Sequence, residues 1–157
     1  MKKAVYNTIF ICSISVFLIG CKGNTMVKYE QQDQLLTYLY KQHIDVAKKT
    51  LLIILQKELC SCTADDTELS YEILTSPKYN TYNKVLIVPD NTHSIIARLD
   101  KTPFYRNIIV IQNINDNLKK NGLTFAVNRL FMLDQGGITR IIDMHLTKHQ
   151  ELRTELL

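Results

Sequence analysis

The chain has 157 residues, of which 46% are hydrophobic and 22% are charged, and its formal net charge at neutral pH is +4. These values are typical of one globular domain with a modest core. Lys2 and Lys3 supply two of the positive charges. Because no stripe of Lys and Arg with interleaved aromatic residues follows, we expect no nucleic-acid partner.

The first residues have the anatomy of an export signal. Met1-Lys2-Lys3 is a short basic start, and the apolar run TIFICSISVFLIG is short for a membrane span. The run ends in Leu18-Ile19-Gly20-Cys21, which resembles the lipobox of bacterial lipoproteins. The resemblance implies cleavage before Cys21, with diacylglycerol on its thiol, and two or three acyl chains give stable anchoring. We therefore expect a signal peptide at residues 1–20, a lipid-anchored tether at 21–29 and one domain at 30–157.

A lipid on Cys21 would place the protein in the cell envelope, facing the periplasm or the cell surface. The membrane would then be its partner through the N-terminal anchor. Lys22, rather than Asp, follows the cysteine, which favours the outer membrane if the cell is Gram-negative.

The remaining cysteines form one closely spaced pair. Cys12 would leave with the signal peptide, so the expected mature domain keeps Cys60 and Cys62 beside the lipidated Cys21. Export permits disulfides, and Cys60–Cys62 is then the only intramolecular pairing available. A loop this small restricts the unfolded chain little. The pair is therefore better suited to chemistry than to stabilising the fold.

The first elements of the domain follow from hydrophobic spacing. DQLLTYLYKQHIDVAKK predicts a helix over residues 30–48, with His43 as a partly buried structural histidine. TLLIILQ is a continuous apolar run that predicts a strand covered on both faces. Thr63 predicts a helix start as an N-cap followed by acidic residues, including Asp65 and Asp66. This helix should end near Ser76-Pro77.

The later elements alternate in the same way. NKVLIVPD and NIIVIQN predict two strands, separated by a helix in NTHSIIARLD that Asn91 would cap. INDNLKKNG predicts a short helix with Gly122 at its C-terminal cap. RLFMLDQGGITRIIDMH predicts a hairpin that turns at residues 134–137, and LTKHQELRTELL predicts a short amphipathic helix. This order indicates an α/β three-layer domain with a mixed sheet.

Three stretches resemble the thioredoxin fold, specifically that of membrane-tethered, extracytoplasmic thioredoxin-like proteins. LLIILQKELC resembles the central strand that leads to the first active-site cysteine, KVLIVPD the next parallel strand, and VNRLFMLDQGGITR the closing hairpin. The resemblance implies a mixed central sheet flanked by helices, ending in a β-hairpin and a short helix. It also implies that Cys60 is the attacking thiol.

The sequence departs from that family at two points. The family's C-x-x-C is here Cys60-Ser61-Cys62, and Asn128 stands where the family has its cis-proline. A cis bond before Asn128 would cost about 3 kcal/mol, so we expect a trans peptide. Val127 and Asn128 would then form a substrate-groove loop with a shape of its own.

The cysteine spacing suggests a particular kind of thiol chemistry. A helix N-terminus stabilises a thiolate, whereas the nearby Glu58, Asp65 and Asp66 oppose it. Residues two apart on a helix point away from each other, so a Cys60–Cys62 bond needs a non-helical segment. The small ring should be strained and readily reduced. This favours a thiol-disulfide oxidoreductase or isomerase that acts on cell-envelope protein thiols without a cofactor.

Two other functions compete with this one. A copper-handling protein could bind metal through Cys60, Cys62 and His93, although structural zinc would need a second cysteine pair. A non-catalytic thioredoxin-fold binding or scaffold lipoprotein would leave the cysteines without a chemical role.

Overall fold

The computed structural model describes residues 26–56, 62–89, 94–103, 105–144 and 148–157, with the backbone alone at Cys62 and Thr63. Strands and helices alternate along this part of the chain. The strands are β1 (Thr50–Ile54), β2 (Asn83–Val88), β3 (Ile108–Gln112), β4 (Asn128–Asp134) and β5 (Gly137–Met144). The helices are α1 (Gln32–Lys41), α2 (Cys62–Thr75), α3 (Ser94–Leu99), α4 (Asn117–Lys120) and α5 (His149–Leu156).

The strands form one mixed sheet in the order β3-β2-β1-β4-β5. β1, β2 and β3 are parallel, whereas β4 runs antiparallel to β1 and β5 antiparallel to β4. The sheet therefore has two distinct ends. We call the end at Ile54, Val88, Gln112, Asn128 and Met144 the carboxyl edge. The amino edge is the opposite end, at Thr50, Asn83, Ile108, Asp134 and Gly137.

Helices cover both faces of the sheet, which makes the domain a three-layer α/β structure. All five residues of β1 are buried, as its continuous apolar run predicts. Leu51 and Ile53 belong to the core under α2, α3 and α5. Leu52 and Ile54 belong to the core under α1 and α4 on the other face.

The first helix is shorter than its hydrophobic spacing predicts, and the prediction that His43 is partly buried is wrong. α1 ends at Lys41, and His43 is exposed with a φ of 60°. The amide of Ile44 donates to Leu39 O, and the amide of His43 donates to Tyr40 O. This is a Schellman end with a left-handed residue at the first position beyond the cap, and it turns the chain toward β1.

The boundaries of α2 and the hairpin agree more closely with the sequence. α2 begins at Cys62, one residue before the predicted N-cap, and ends at Thr75 just before Ser76-Pro77. β4 and β5 form the predicted hairpin. Gln135 and Gly136, with φ values of 51° and 78°, are the two left-handed residues that a type I′ turn requires.

Candidate polar site at the carboxyl edge

The predicted site residues are only partly within the described chain. Cys21, Cys60 and His93 lie outside the described residues, and Cys62 is described by its backbone at the start of α2. Val127 and Asn128 are both described: Val127 is half-buried, and Asn128 is the first residue of β4. The described residues contain no cis peptide bond, so the predicted trans peptide before Asn128 is confirmed.

The Asn128 side chain points into the protein, where only 5% of the residue is exposed. Its Oδ1 accepts a hydrogen bond from the backbone amide of Gln56 over 2.6 Å. Its Nδ2 donates to Oδ2 of Asp66, in the first turns of α2. One amide side chain thus links the end of the central strand to the start of the next helix.

A second side chain completes this buried network. His149, the first residue of α5, is hydrogen-bonded through Nε2 to Oδ1 of Asp66. Asp66 and His149 are each 6% exposed. Each carboxylate oxygen of Asp66 therefore has a partner, as a buried charged or polar group requires. We call Asn128, Asp66 and His149 the polar network.

The polar network joins α2, β4 and α5, and through Gln56 it also holds the chain two residues beyond β1. Gln56 immediately precedes residues 57–61, and Cys62 follows them at the start of α2. Both flanks of that segment are held, one through the Gln56 amide and the other through Asp66, one helical turn after Cys62. Asp66 also lies near the positive end of the α2 dipole, which favours a negative charge there.

Two ion pairs hold α2 against its neighbours. Glu68 is paired with Arg98 of α3, and the hydrogen bond from Arg98 lowers the pKa of the Glu68 carboxyl. The Arg98 guanidinium also lies 4.3 Å from the centre of the Tyr71 ring. Farther along α2, Glu72 accepts a 2.8 Å hydrogen bond from Arg153 of α5. In α2, Glu68 and Glu72 therefore each have an arginine partner that offsets their charge.

The sequence interpretation missed Asp66 and His149 as members of the polar network. The sequence predicts that Asp66 is a charge at the helix start, yet Asp66 is buried on the same helix face as Leu69, Ser70 and Ile73. His149 likewise lies in line with Leu152 and Leu156 of α5. A polar residue on each of two apolar stripes is a signal that could have revealed the pair, because buried polar groups need partners.

The described residues contain no cluster of three or more His, Cys, Asp or Glu residues that could hold a metal ion. None of the helices in these described ranges combines the length and the apolar composition of a membrane span. Comparison with known proteins found no matching family model, curated protein or solved structure.

Proposed function

We propose that this chain is a lipid-anchored, thioredoxin-like protein of the cell envelope that exchanges disulfides through Cys60 and Cys62. The observation that carries the proposal is the position of the cysteine segment. It follows the central strand, precedes α2, and is flanked by residues that Asn128 of β4 ties together. In α/β sheets, ligands usually bind at this carboxyl edge.

The electrostatics of the described residues support a reactive thiol. The start of α2 is a helix N-terminus, which favours a thiolate. Arg98 pairs with Glu68 and so offsets the charge of this carboxylate. Asp65, in the first turn of α2, opposes a thiolate.

A bond between residues two apart needs a non-helical segment, and α2 begins at Cys62, one residue before the expected start at Thr63. In the proposed reaction, a substrate thiolate attacks the Cys60 sulfur of the oxidised pair and Cys62 leaves as a thiolate. A second substrate thiolate then attacks the mixed disulfide, which releases Cys60 and a substrate disulfide. Two electrons pass from the substrate thiols to the protein.

The anchor is tested separately from the chemistry. Replacing Cys21 with serine should release the protein from the membrane, because the thiol is the site of acylation. Unchanged partitioning into detergent would contradict the lipoprotein assignment.

The redox chemistry is tested with two cysteine variants and one control. Cys60→Ser should abolish exchange with a reduced, unfolded protein, and Ser61→Ala should exchange normally. Cys62→Ser leaves Cys60 as a free thiol, and this variant should accumulate a mixed disulfide when the Cys60 thiolate attacks a disulfide-bonded unfolded protein and one substrate sulfur leaves as a thiolate. Titration of the Cys60 thiol against pH, with and without copper or zinc, separates the competing functions. A depressed thiol pKa supports exchange, and a metal-dependent change that is lost in His93→Ala supports copper handling. An ordinary or raised pKa that is insensitive to metal favours a scaffold.

A further inference from the structure

The first described residues of the chain lie against the amino edge of the sheet. The amide of Val27 donates to the carbonyl of Ile138, near the start of β5, over 2.7 Å. Gly137 has no side chain, and a Cβ at this position would collide with Sδ of Met26. The chain therefore meets the domain at the amino end of β5.

The length of the preceding segment limits how the domain can sit on a membrane. Cys21 precedes Met26 by five residues, which span at most about 18 Å when fully extended. β5 has 8 residues, and at about 3.3 Å per residue it separates the two edges of the sheet by about 23 Å. A lipid on Cys21 can bring the amino edge to the bilayer surface. With the carboxyl edge on the bilayer, Met26 would lie beyond the reach of the tether.

The loops at the amino edge also have an excess of positive charge. The loops that lead into β1, β2 and β3, together with the hairpin turn, carry five cationic side chains against three acidic ones. The cationic residues are Lys48, Lys49, Lys78, Lys101 and Arg106, and the acidic ones are Asp45, Asp100 and Asp134. Anionic lipid attracts a basic residue near its surface by about 1 kcal/mol. Beside these loops, Tyr40 is 77% exposed, and tyrosine is enriched at membrane interfaces.

We infer that the amino edge lies against an anionic bilayer surface and that the carboxyl edge, with the cysteine segment, faces away from it. This inference rests on the proposed acylation of Cys21. The orientation also limits which protein thiols can react with the cysteine segment. The thiols that reach the cysteine segment belong to protein regions about 23 Å or more from the membrane surface, and not to cysteines at the level of the headgroups.

Two single-tryptophan variants test this orientation, because the native sequence contains no Trp. Tyr40→Trp reports on the amino edge. Ile114→Trp, at a position that is 56% exposed just beyond β3, reports on the carboxyl edge. The acylated, full-length mature protein is reconstituted with phosphatidylcholine and phosphatidylglycerol vesicles that carry a spin label on the lipid headgroup. Such a label quenches tryptophan only at short range.

Tyr40→Trp should lose most of its emission, and Ile114→Trp should retain it. Flotation of the same vesicles shows whether the protein is bound. If the protein floats and Ile114→Trp is quenched as strongly as Tyr40→Trp, the orientation is wrong while the anchor stands. If the protein does not float, the proposed anchor fails and the orientation fails with it.

Discussion

Replacing Asn128 with alanine tests whether the polar network stabilises the carboxyl edge. The change removes the acceptor of the Gln56 amide and one donor to the Asp66 carboxylate, in a place where Asn128 is only 5% exposed. A hydrogen bond between neutral groups contributes about 1 kcal/mol and one to a charged group about 1.5–3 kcal/mol. The variant should therefore lose about 2–4 kcal/mol of the free energy of unfolding.

Urea unfolding followed by circular dichroism measures this loss, provided that the m-value does not change. Asn80→Ala is the matched control, because Asn80 is exposed and should change stability by less than about 0.5 kcal/mol. If Asn128→Ala loses less than about 1 kcal/mol, water replaces the amide at little cost, and the network is not the rigid link proposed here.

Substitutions at three further residues probe other contacts of α2. His149→Ala should cost about 1–3 kcal/mol, because it leaves the buried Asp66 carboxylate short of a partner, whereas His149→Gln can keep a donor and should cost less. Lys84→Met should cost about 1–2 kcal/mol in thermal or urea unfolding, because the ammonium donates to the Leu74 carbonyl over 2.7 Å. Burial lowers the pKa of Lys84, so the folded state releases this proton at a lower pH than the unfolded state does. The free energy of unfolding of the wild type should therefore rise relative to that of Lys84→Met as the pH rises toward the ordinary lysine value of 10.5. Glu68→Gln should cost no more than about 1 kcal/mol at neutral pH, because the pair with Arg98 is partly exposed. Arg98 lowers the pKa of Glu68, so this difference should vanish as the pH falls below 4.5 and through the lower folded value; a difference that persists in acid would contradict the ion pair as its cause.

The strands could be predicted because their signals are local. TLLIILQ and NKVLIVPD are apolar runs bounded by polar residues, and β1 and β2 lie within them. The hairpin could also be predicted, since Gln135-Gly136-Gly137 contains the glycines that a tight turn favours. In each case the residues that decide the structure are neighbours in sequence.

The end of α1 and the polar network could not be predicted from neighbouring residues alone. The helix ends where His43, which has a Cβ, adopts the left-handed conformation that sequence rules assign mainly to glycine. Asp66 and His149 are 83 residues apart, so neither sequence window contains the partner that makes burial tolerable. The local sequence predicts that Asp66 is a charged residue at a helix start, but its buried position depends on Asn128 and His149, which are distant in sequence.

A β-bulge in the hairpin lets the two ends of β5 pack their side chains on opposite faces of the sheet. Leu133 pairs with Ile138 and Met132 with Arg140, so Thr139 is an extra residue in β5. A strict alternation would turn Ile138 to the same face as Met144, since six residues separate them. The extra residue reverses that alternation, so Ile138 packs under α1 and α4 while Met144 packs under α2 and α5. The bulge therefore lets one strand contact Val27 near its first residues and pack under α2 and α5 at its last.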